Sequence, residues 1–168
     1  DCGILIFDKQ KQDTHGGGSG CGCCGSVFAG YLYNKLQNKE LNKLCETSCN
    51  TIRIMTFNNN GKPEILWAGL RIGNGVNSVD NFHAGGMATE IDLKTGKLVR
   101  PALDKDLNEF THHPKTNVKI EGFQIPYFKE VKEMVSAAAL ESDKILVVGW
   151  DVEITDEGPL IIEGNRRP

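Results

Sequence analysis

A mixed α/β (α+β) fold, with a mostly antiparallel sheet and packed helices, is predicted by three features of this 168-residue sequence. Residues 51–72 alternate apolar and polar side chains on either side of a turn signal. Residues 145–165 form a second strand pair around Asp156, Glu157 and Gly158. Between the pairs, Pro126 is placed to open a helix that runs to about Leu140.

Taken in order, Gly3 to Phe7 reads as a short buried strand and Asp8 to Gly20 as a polar, glycine-rich loop. Apolar residues then recur at helical spacing (Val27, Phe28, Tyr31, Leu32, Leu36, Leu41, Leu44), which predicts a helix from Ser26 to about Cys45. From Thr51 to Phe57 the period changes to two, Asn58 to Gly61 is a turn signal, and Ile65 to Ile72 alternates again. A long loop from Gly73 to Gly86 leads to a strand near Ala88 to Leu93, and Lys94 to Lys97 turns the chain into another short strand. Residues 100–125 look irregular, and the Pro126 helix and terminal hairpin follow. Two parts are expected. Residues 1–43 form a strand, loop and helix that cannot bury both faces alone, and residues 44–168 supply enough strands and helix for a layered domain.

Bulk properties exclude several classes. With 19 basic and 22 acidic residues the formal net charge is −3, and no basic face or arm of the kind that binds nucleic acid is visible. No apolar run approaches the roughly 20 residues needed to span a bilayer, and the N-terminus shows no signal-peptide pattern. The sequence reads as soluble and cytoplasmic. It opens on Asp1 without methionine and stops at Pro168, three residues past Asn165, which suggests a piece of something longer. The six cysteines (Cys2, Cys21, Cys23, Cys24, Cys45, Cys49) all lie in the first fifty residues. With none in the later domain a disulfide framework is not indicated, so reduced thiols are expected, and the spacing of Cys21, Cys24, Cys45 and Cys49 does not give two paired knuckles for zinc.

The terminal hairpin carries the clearest chemistry. If Asp156, Glu157 and Gly158 form a three-residue loop, Asp151 falls opposite Glu163, and Asn165 shares the face of Glu163. A two-residue loop would instead move Asp151 opposite Ile162. Opposed residues have Cβ atoms about 5 Å apart, and like charges there destabilise a sheet. A hard divalent cation reverses that sign, because two carboxylates and an amide oxygen make the oxygen-rich site that Mg2+ or Mn2+ prefers. The flanking residues Ile145, Val147, Val148, Ile161 and Ile162 are apolar, with no basic residue built in between. Asp151, Glu163 and Asn165 are therefore the candidate metal ligands.

Arg53 and Arg71 lie in the first hairpin, within apolar alternating strands where an arginine needs an anionic partner. They could hold phosphate or carboxylate oxygens beside the metal, or snorkel on a solvent face. The loop Asp80-Asn-Phe-His-Ala-Gly-Gly86 ends in a glycine pair that lets backbone approach a ligand closely. His112 and His113 read as surface histidines. Gly20 to Gly25 fits G-x-G-x-x-G, but thirteen loop residues separate it from the preceding strand, so a close-packed glycine turn explains it better than a dinucleotide site.

Residues from about 41 to 168 resemble the sugar-transfer-associated ATP-grasp family. The segments that carry the likeness are Asn50 to Ile54, Leu70 to Gly75, Val79 to Gly86, Gly122 to Pro126, Val148 to Val152 and Ile162 to Asn165. The resemblance implies that residues 44–168 are an ATP-grasp catalytic half using ATP and Mg2+ (or Mn2+), bound at Asp151, Glu163 and Asn165. It implies that Arg53 and Arg71 act in catalysis on the nucleotide phosphates or an acyl-phosphate, and that Asn81, Gly85 and Gly86 line the acceptor side. The implied partners are a small-molecule carboxylate and a nucleophilic acceptor such as an amine. It also implies a preceding half with two phosphate-binding lysines, a glycine-rich flap and an adenine hinge, none recognisable in this sequence. Residues 1–43, through Asp13-Thr-His-Gly-Gly-Gly-Ser-Gly-Cys-Gly-Cys23, are similar instead to the C-terminal part of stage V sporulation protein AD, a thiolase-like protein. That likeness implies a small-molecule module handling dipicolinic acid, without catalytic residues.

Overall fold

A computed structural model describes residues 37–75, 85–141 and 145–166. The strand at Gly3 to Phe7, the glycine-rich loop, the sporulation-protein likeness up to residue 36 and Asn81 lie outside them.

The described residues form one seven-stranded sheet in which every pairing is antiparallel. The strands are β1 (Ile52–Asn59), β2 (Lys62–Ile72), β3 (Met87–Glu90), β4 (Ala102–Leu103), β5 (Glu109–Phe110), β6 (Val147–Thr155) and β7 (Gly158–Asn165), and across the sheet they run β5-β4-β3-β2-β1-β6-β7. The hairpin β1–β2 thus meets the terminal hairpin β6–β7 through β1 and β6, which puts the two sequence-predicted motifs side by side. Asn60 and Gly61 turn β1 into β2 with φ of 51° and 82°. Two successive left-handed residues match the natural twist of a hairpin, which is why an Asn-Gly pair serves there.

One face of the sheet is the core. Ile52 and Ile54 of β1, Ala68, Leu70 and Ile72 of β2, and Val152 and Ile154 of β6 all point to it and are buried. Helix α2 (Phe128–Leu140) covers this face with Phe128, Val131, Val135 and Ala139, a stripe set by the 3.6-residue period. The connection from β3 to α2 adds Ile91, Leu98, Ile120 and Ile125. Burying each such side chain contributes about 1.5–3 kcal/mol relative to leaving it exposed. The other face carries Arg53, Met55 and Phe57 of β1, alternating with the buried positions.

The structure departs from the sequence expectations at several places. The helix expected from Ser26 to Cys45 is not continuous: Gln37 bridges Thr155, Asn38 caps the amide of Glu40 at 2.9 Å, and only α1 (Lys39–Asn42) is helical beyond it. A polar Asn that bonds the next turn's amide ends one element and starts another. Helix α2 starts two residues after Pro126, because Tyr127 is left-handed at φ 52° and donates its hydroxyl to Asp156 O at 3.1 Å. The strand expected over 88–93 ends at Glu90 and continues only as a bridge between Ile91 and Leu98. Leu41, Leu44 and Cys45 belong to the same core as the sheet.

Candidate functional site

The terminal hairpin closes through two residues, Asp156 and Glu157, since Thr155 pairs with Gly158. This corrects the expected three-residue loop. Gly158 has φ 129°, a conformation open in practice only to glycine, and Thr155 ties the turn by donating to Gly158 O at 2.8 Å and accepting from Glu157 N at 3.1 Å. A two-residue loop alone would set Asp151 against Ile162. A bulge between Asp151 and Val152 takes up the extra residue of β7, so Val152 faces Ile161 but Asp151 faces Glu163 and Gly149 faces Asn165. The carboxylate pair is therefore reached by a shorter turn and a bulge.

Basic residues nevertheless reach the pair from outside the hairpin. Arg53 on β1 is the direct partner of Asp151 on the other side of β6. Its Nη2 donates to Asp151 Oδ2 at 3.0 Å, and its Nε lies 2.6 Å from Oδ1. That second approach is an ion-pair contact only, because neither atom gains a well-aligned hydrogen bond from it. Arg71 comes from β2, with Nη2 at 3.3 Å from Asp151 Oδ2, and it is anchored by Thr51, whose hydroxyl accepts from Arg71 Nε at 2.9 Å and Nη2 at 2.6 Å. The anionic partner that each arginine requires is thus the candidate metal ligand itself.

Asp151 is only 7% exposed. Burial pushes its carboxyl above the usual aspartate range, against the pull of Arg71 and Arg53, and Glu163 adds to the rise. The donor chemistry would suit a hard cation. Asp151 Oδ1 and the Asn165 amide nitrogen are both buried without a hydrogen-bond partner. The two ends of an asparagine amide are interchangeable in assignment, so Asn165 can equally turn an oxygen inward. Among the described residues no group of three or more His, Cys, Asp and Glu side chains is arranged for a metal. The candidate set is two carboxylates and an amide, a hard-oxygen set suited to Mg2+ or Mn2+ rather than zinc.

Of the acceptor-side residues, Gly85 has φ 91°, and a Cβ there would stand 2.8 Å from the Asn74 side-chain nitrogen. Gly86 is buried beside it, at the entry to β3. An open cavity of about 360 Å³ lies elsewhere, between β2 and the β3–β4 connection, lined by Leu66, Trp67, Glu90, Asp92, Lys94 and Val99.

Sequence reasoning missed a buried polar cluster at the start of β1. Asn50 is fully buried and accepts from Gly73 N at 3.2 Å while donating to Cys45 O at 2.9 Å and Gln37 Oε1 at 3.0 Å. His113, expected at the surface, is 1% exposed, with Nε2 at 2.9 Å from Gly73 O and Nδ1 facing the amides of Lys115 and Thr116 at 3.3 and 3.2 Å. Burial pushes the nearby Cys45 thiol up, but hydrogen bonds from His113, Ser48 and Thr47 outweigh it and bring it to about 6. Burial pulls the His113 imidazole down, but its contacts with Cys45 and Gly73 raise it above its usual value. Two hydroxyls lie against the same sulfur, Ser48 Oγ at 3.2 Å and Thr47 Oγ1 at 3.5 Å. This cluster holds the strand ends from which Arg53 and Arg71 project. Only an isolated His-His pair and an Asn beside a strand hinted at it.

No helix among the described residues is long and apolar enough to cross a membrane. No curated protein matches the chain. The resemblance of residues 1–43 to the sporulation protein finds no support. Residues 31–168 match the family described as sugar-transfer associated ATP-grasp, whose relatives generally use ATP and Mg2+ and whose domain points to ATP-dependent, ligase-like work connected with sugar transfer. With most of its length matched, an antiparallel sheet and an oxygen-donor hairpin flanked by arginines, this chain belongs to the sugar-transfer associated ATP-grasp family.

Proposed function

We propose that residues 44–168 are the catalytic half of an ATP- and Mg2+-dependent carboxylate ligase acting in sugar- or polysaccharide-associated metabolism. The observation that carries the reading is the convergence of two arginines from β1 and β2 on Asp151, with Glu163 directly across the hairpin. Asp151, Glu163 and Asn165 hold the cation, which supplies charge neutralisation between phosphate oxygens when bound. Arg53 and Arg71 contact the phosphate oxygens of the nucleotide and of the acyl-phosphate, since guanidinium groups match such oxygens in planar geometry. Asn81, Gly85 and Gly86 line the acceptor side.

In this reading a substrate carboxylate oxygen bonds to the terminal phosphorus of ATP as the bond to ADP breaks. An amine or other nucleophile then bonds to the acyl carbon and loses its proton, and phosphate leaves with the electron pair. The arginines provide fixed positive charge where oxygen charge develops. Hydroxylamine offered as the acceptor with a panel of sugar-acid carboxylates, ATP and Mg2+ should give a hydroxamate and one ADP per turnover. Arg53→Gln and Arg71→Gln should each lower that rate by about a hundredfold, as removal of one preorganised donor does elsewhere. Hydroxamate formed at equal rates by the wild type and both variants would refute the assignment.

A further inference from the structure

We infer that Trp67, laid over Gly69 on the arginine-bearing face of the sheet, is the shelf for the sugar ring of the substrate, with Glu90 and Asp92 receiving the ring's hydroxyl groups. That the substrate is a sugar acid rests on the proposed function. The register of β2 against β1 slips by one residue between Met55 and Thr56, so Leu66 has no partner of its own and stands 50% exposed. Beyond this bulge Trp67, Gly69 and Arg71 share one face, and Met55 and Arg53 of β1 stand opposite Trp67 and Gly69.

A Cβ at Gly69 would stand 2.6 Å from Trp67 Cζ2, so the indole fills the space that any side chain there would need. Its ring is 38% exposed, and its Nε1–H donates to no group among the described residues. Trp150 is different: it packs against the core and donates Nε1–H to Thr56 Oγ1 at 2.8 Å. A large ring with an open face and an unused donor is placed for a ligand, since a tryptophan that serves packing buries its ring and satisfies its N–H.

The cavity of about 360 Å³ opens where β3 leaves β2, past the bond from Ile91 N to Ala68 O. Its apolar wall is Leu66, Trp67 and Val99, and its polar rim is Glu90, Asp92 and Lys94. That volume lies at the small end of the roughly 300–1,000 Å³ of small-molecule sites, which suits a monosaccharide. Glu90 is the partner of Gly69 on β3, and its Oε2 is held by Arg100 Nη2 at 2.5 Å. Asp92 Oδ1 accepts the amides of Lys94 and Thr95 at 2.6 and 3.0 Å. Each carboxylate is thus fixed in place with a second oxygen to accept from a hydroxyl. A pyranose carries both complements, a face of C–H groups for the indole and an edge of hydroxyls for the acids. A flat nucleobase would match the indole but offers few donors to two carboxylates. The acids also set the direction of binding, because they repel the carboxylate of the sugar while Arg53, opposite Gly69, attracts it.

The test uses the full wild-type chain, in which the two indole Nε1–H resonances are followed by NMR and assigned with Trp67→Phe. Glucuronate, galacturonate, the open-chain acid gluconate and adenosine are titrated separately. At least one of the two hexuronates should move the Trp67 resonance saturably and leave that of Trp150 in place, and gluconate should bind at least fivefold more weakly. In the hydroxamate assay Trp67→Ala should raise the KM for that hexuronate at least tenfold and leave the KM for ATP within twofold. A Trp67 resonance that neither hexuronate moves, or that responds as well to gluconate or adenosine, overturns the shelf. Equal hexuronate KM values for wild type and Trp67→Ala overturn it too and leave the ligase reading standing. If the wild type makes no hydroxamate from any sugar acid, the ligase reading falls, and the wild-type resonances alone decide the shelf.

Discussion

Asn50→Ala probes how the strand ends that carry the arginines are held. Asn50 has no exposed surface and bonds to Gly73 N, Cys45 O, Gln37 Oε1 and, at 3.4 Å, Leu41 O. Removal of the amide does not strand all four, since Leu41 O keeps the amides of Leu44 and Cys45. Cys45 O still accepts from Gln37 Nε2 at 2.9 Å, and Gln37 Oε1 still accepts from the Asn50 backbone amide. Gly73 N alone is left without its buried acceptor, at a cost of about 1–3 kcal/mol, and the two lost donor bonds add about 0.5–1.5 kcal/mol each. The sum is about 2–4 kcal/mol after allowance for relaxation, a large part of a single domain's stability. Urea unfolding followed by tryptophan fluorescence reads it as a lower midpoint at unchanged slope. Asn50→Asp separates hydrogen bonding from volume. It restores an acceptor for Gly73 N but turns a charged oxygen toward Cys45 O and Gln37 Oε1, so at neutral pH it should destabilise at least as much as Asn50→Ala. A buried carboxyl has a raised folded pKa, so that stability is present below the unfolded value of about 3.9 and is lost as pH rises. The deficit of Asn50→Asp should therefore shrink on acidification. A loss under about 0.5 kcal/mol for Asn50→Ala, or a pH-independent deficit for Asn50→Asp, would refute the reasoning.

Cys45, held at about 6, has a depressed folded pKa, so its contribution to stability is present above the unfolded thiol value of about 8.5 and is lost as pH falls through about 6. Between those limits the stability of the wild type should rise with pH more steeply than that of Cys45→Ser; parallel curves would contradict the shift. Gly158→Ala meets no atom within 4 Å, so its cost is backbone strain at φ 129°, about 1–3 kcal/mol. Thermal unfolding that is unchanged in this variant would show that the turn tolerates a side chain.

What was legible in the sequence followed from period and chemistry. Alternation in β1 and β2, and the Asn60-Gly61 turn, gave the first hairpin because each signal acts over a few residues. The pairing of Asp151 with Glu163 was foreseen through the wrong turn length, and a bulge, which leaves no mark on apolar alternation, restored the register. The need of Arg53 and Arg71 for an anion was readable from their apolar strands. That the anion is Asp151 was not, because it depends on β6 lying beside β1, a contact across 98 residues of sequence. The burial of His113 escaped for the same reason: its partner Gly73 is 40 residues away and offers only a backbone carbonyl.

Calorimetric titration of Mg2+ with ATP into the wild type and into the Asp151→Asn, Glu163→Gln double variant tests the shared-cation site most directly. The account predicts a saturable heat for the wild type that is lost, or weakened at least tenfold, in the double variant. Equal heats and affinities from the two proteins would contradict it.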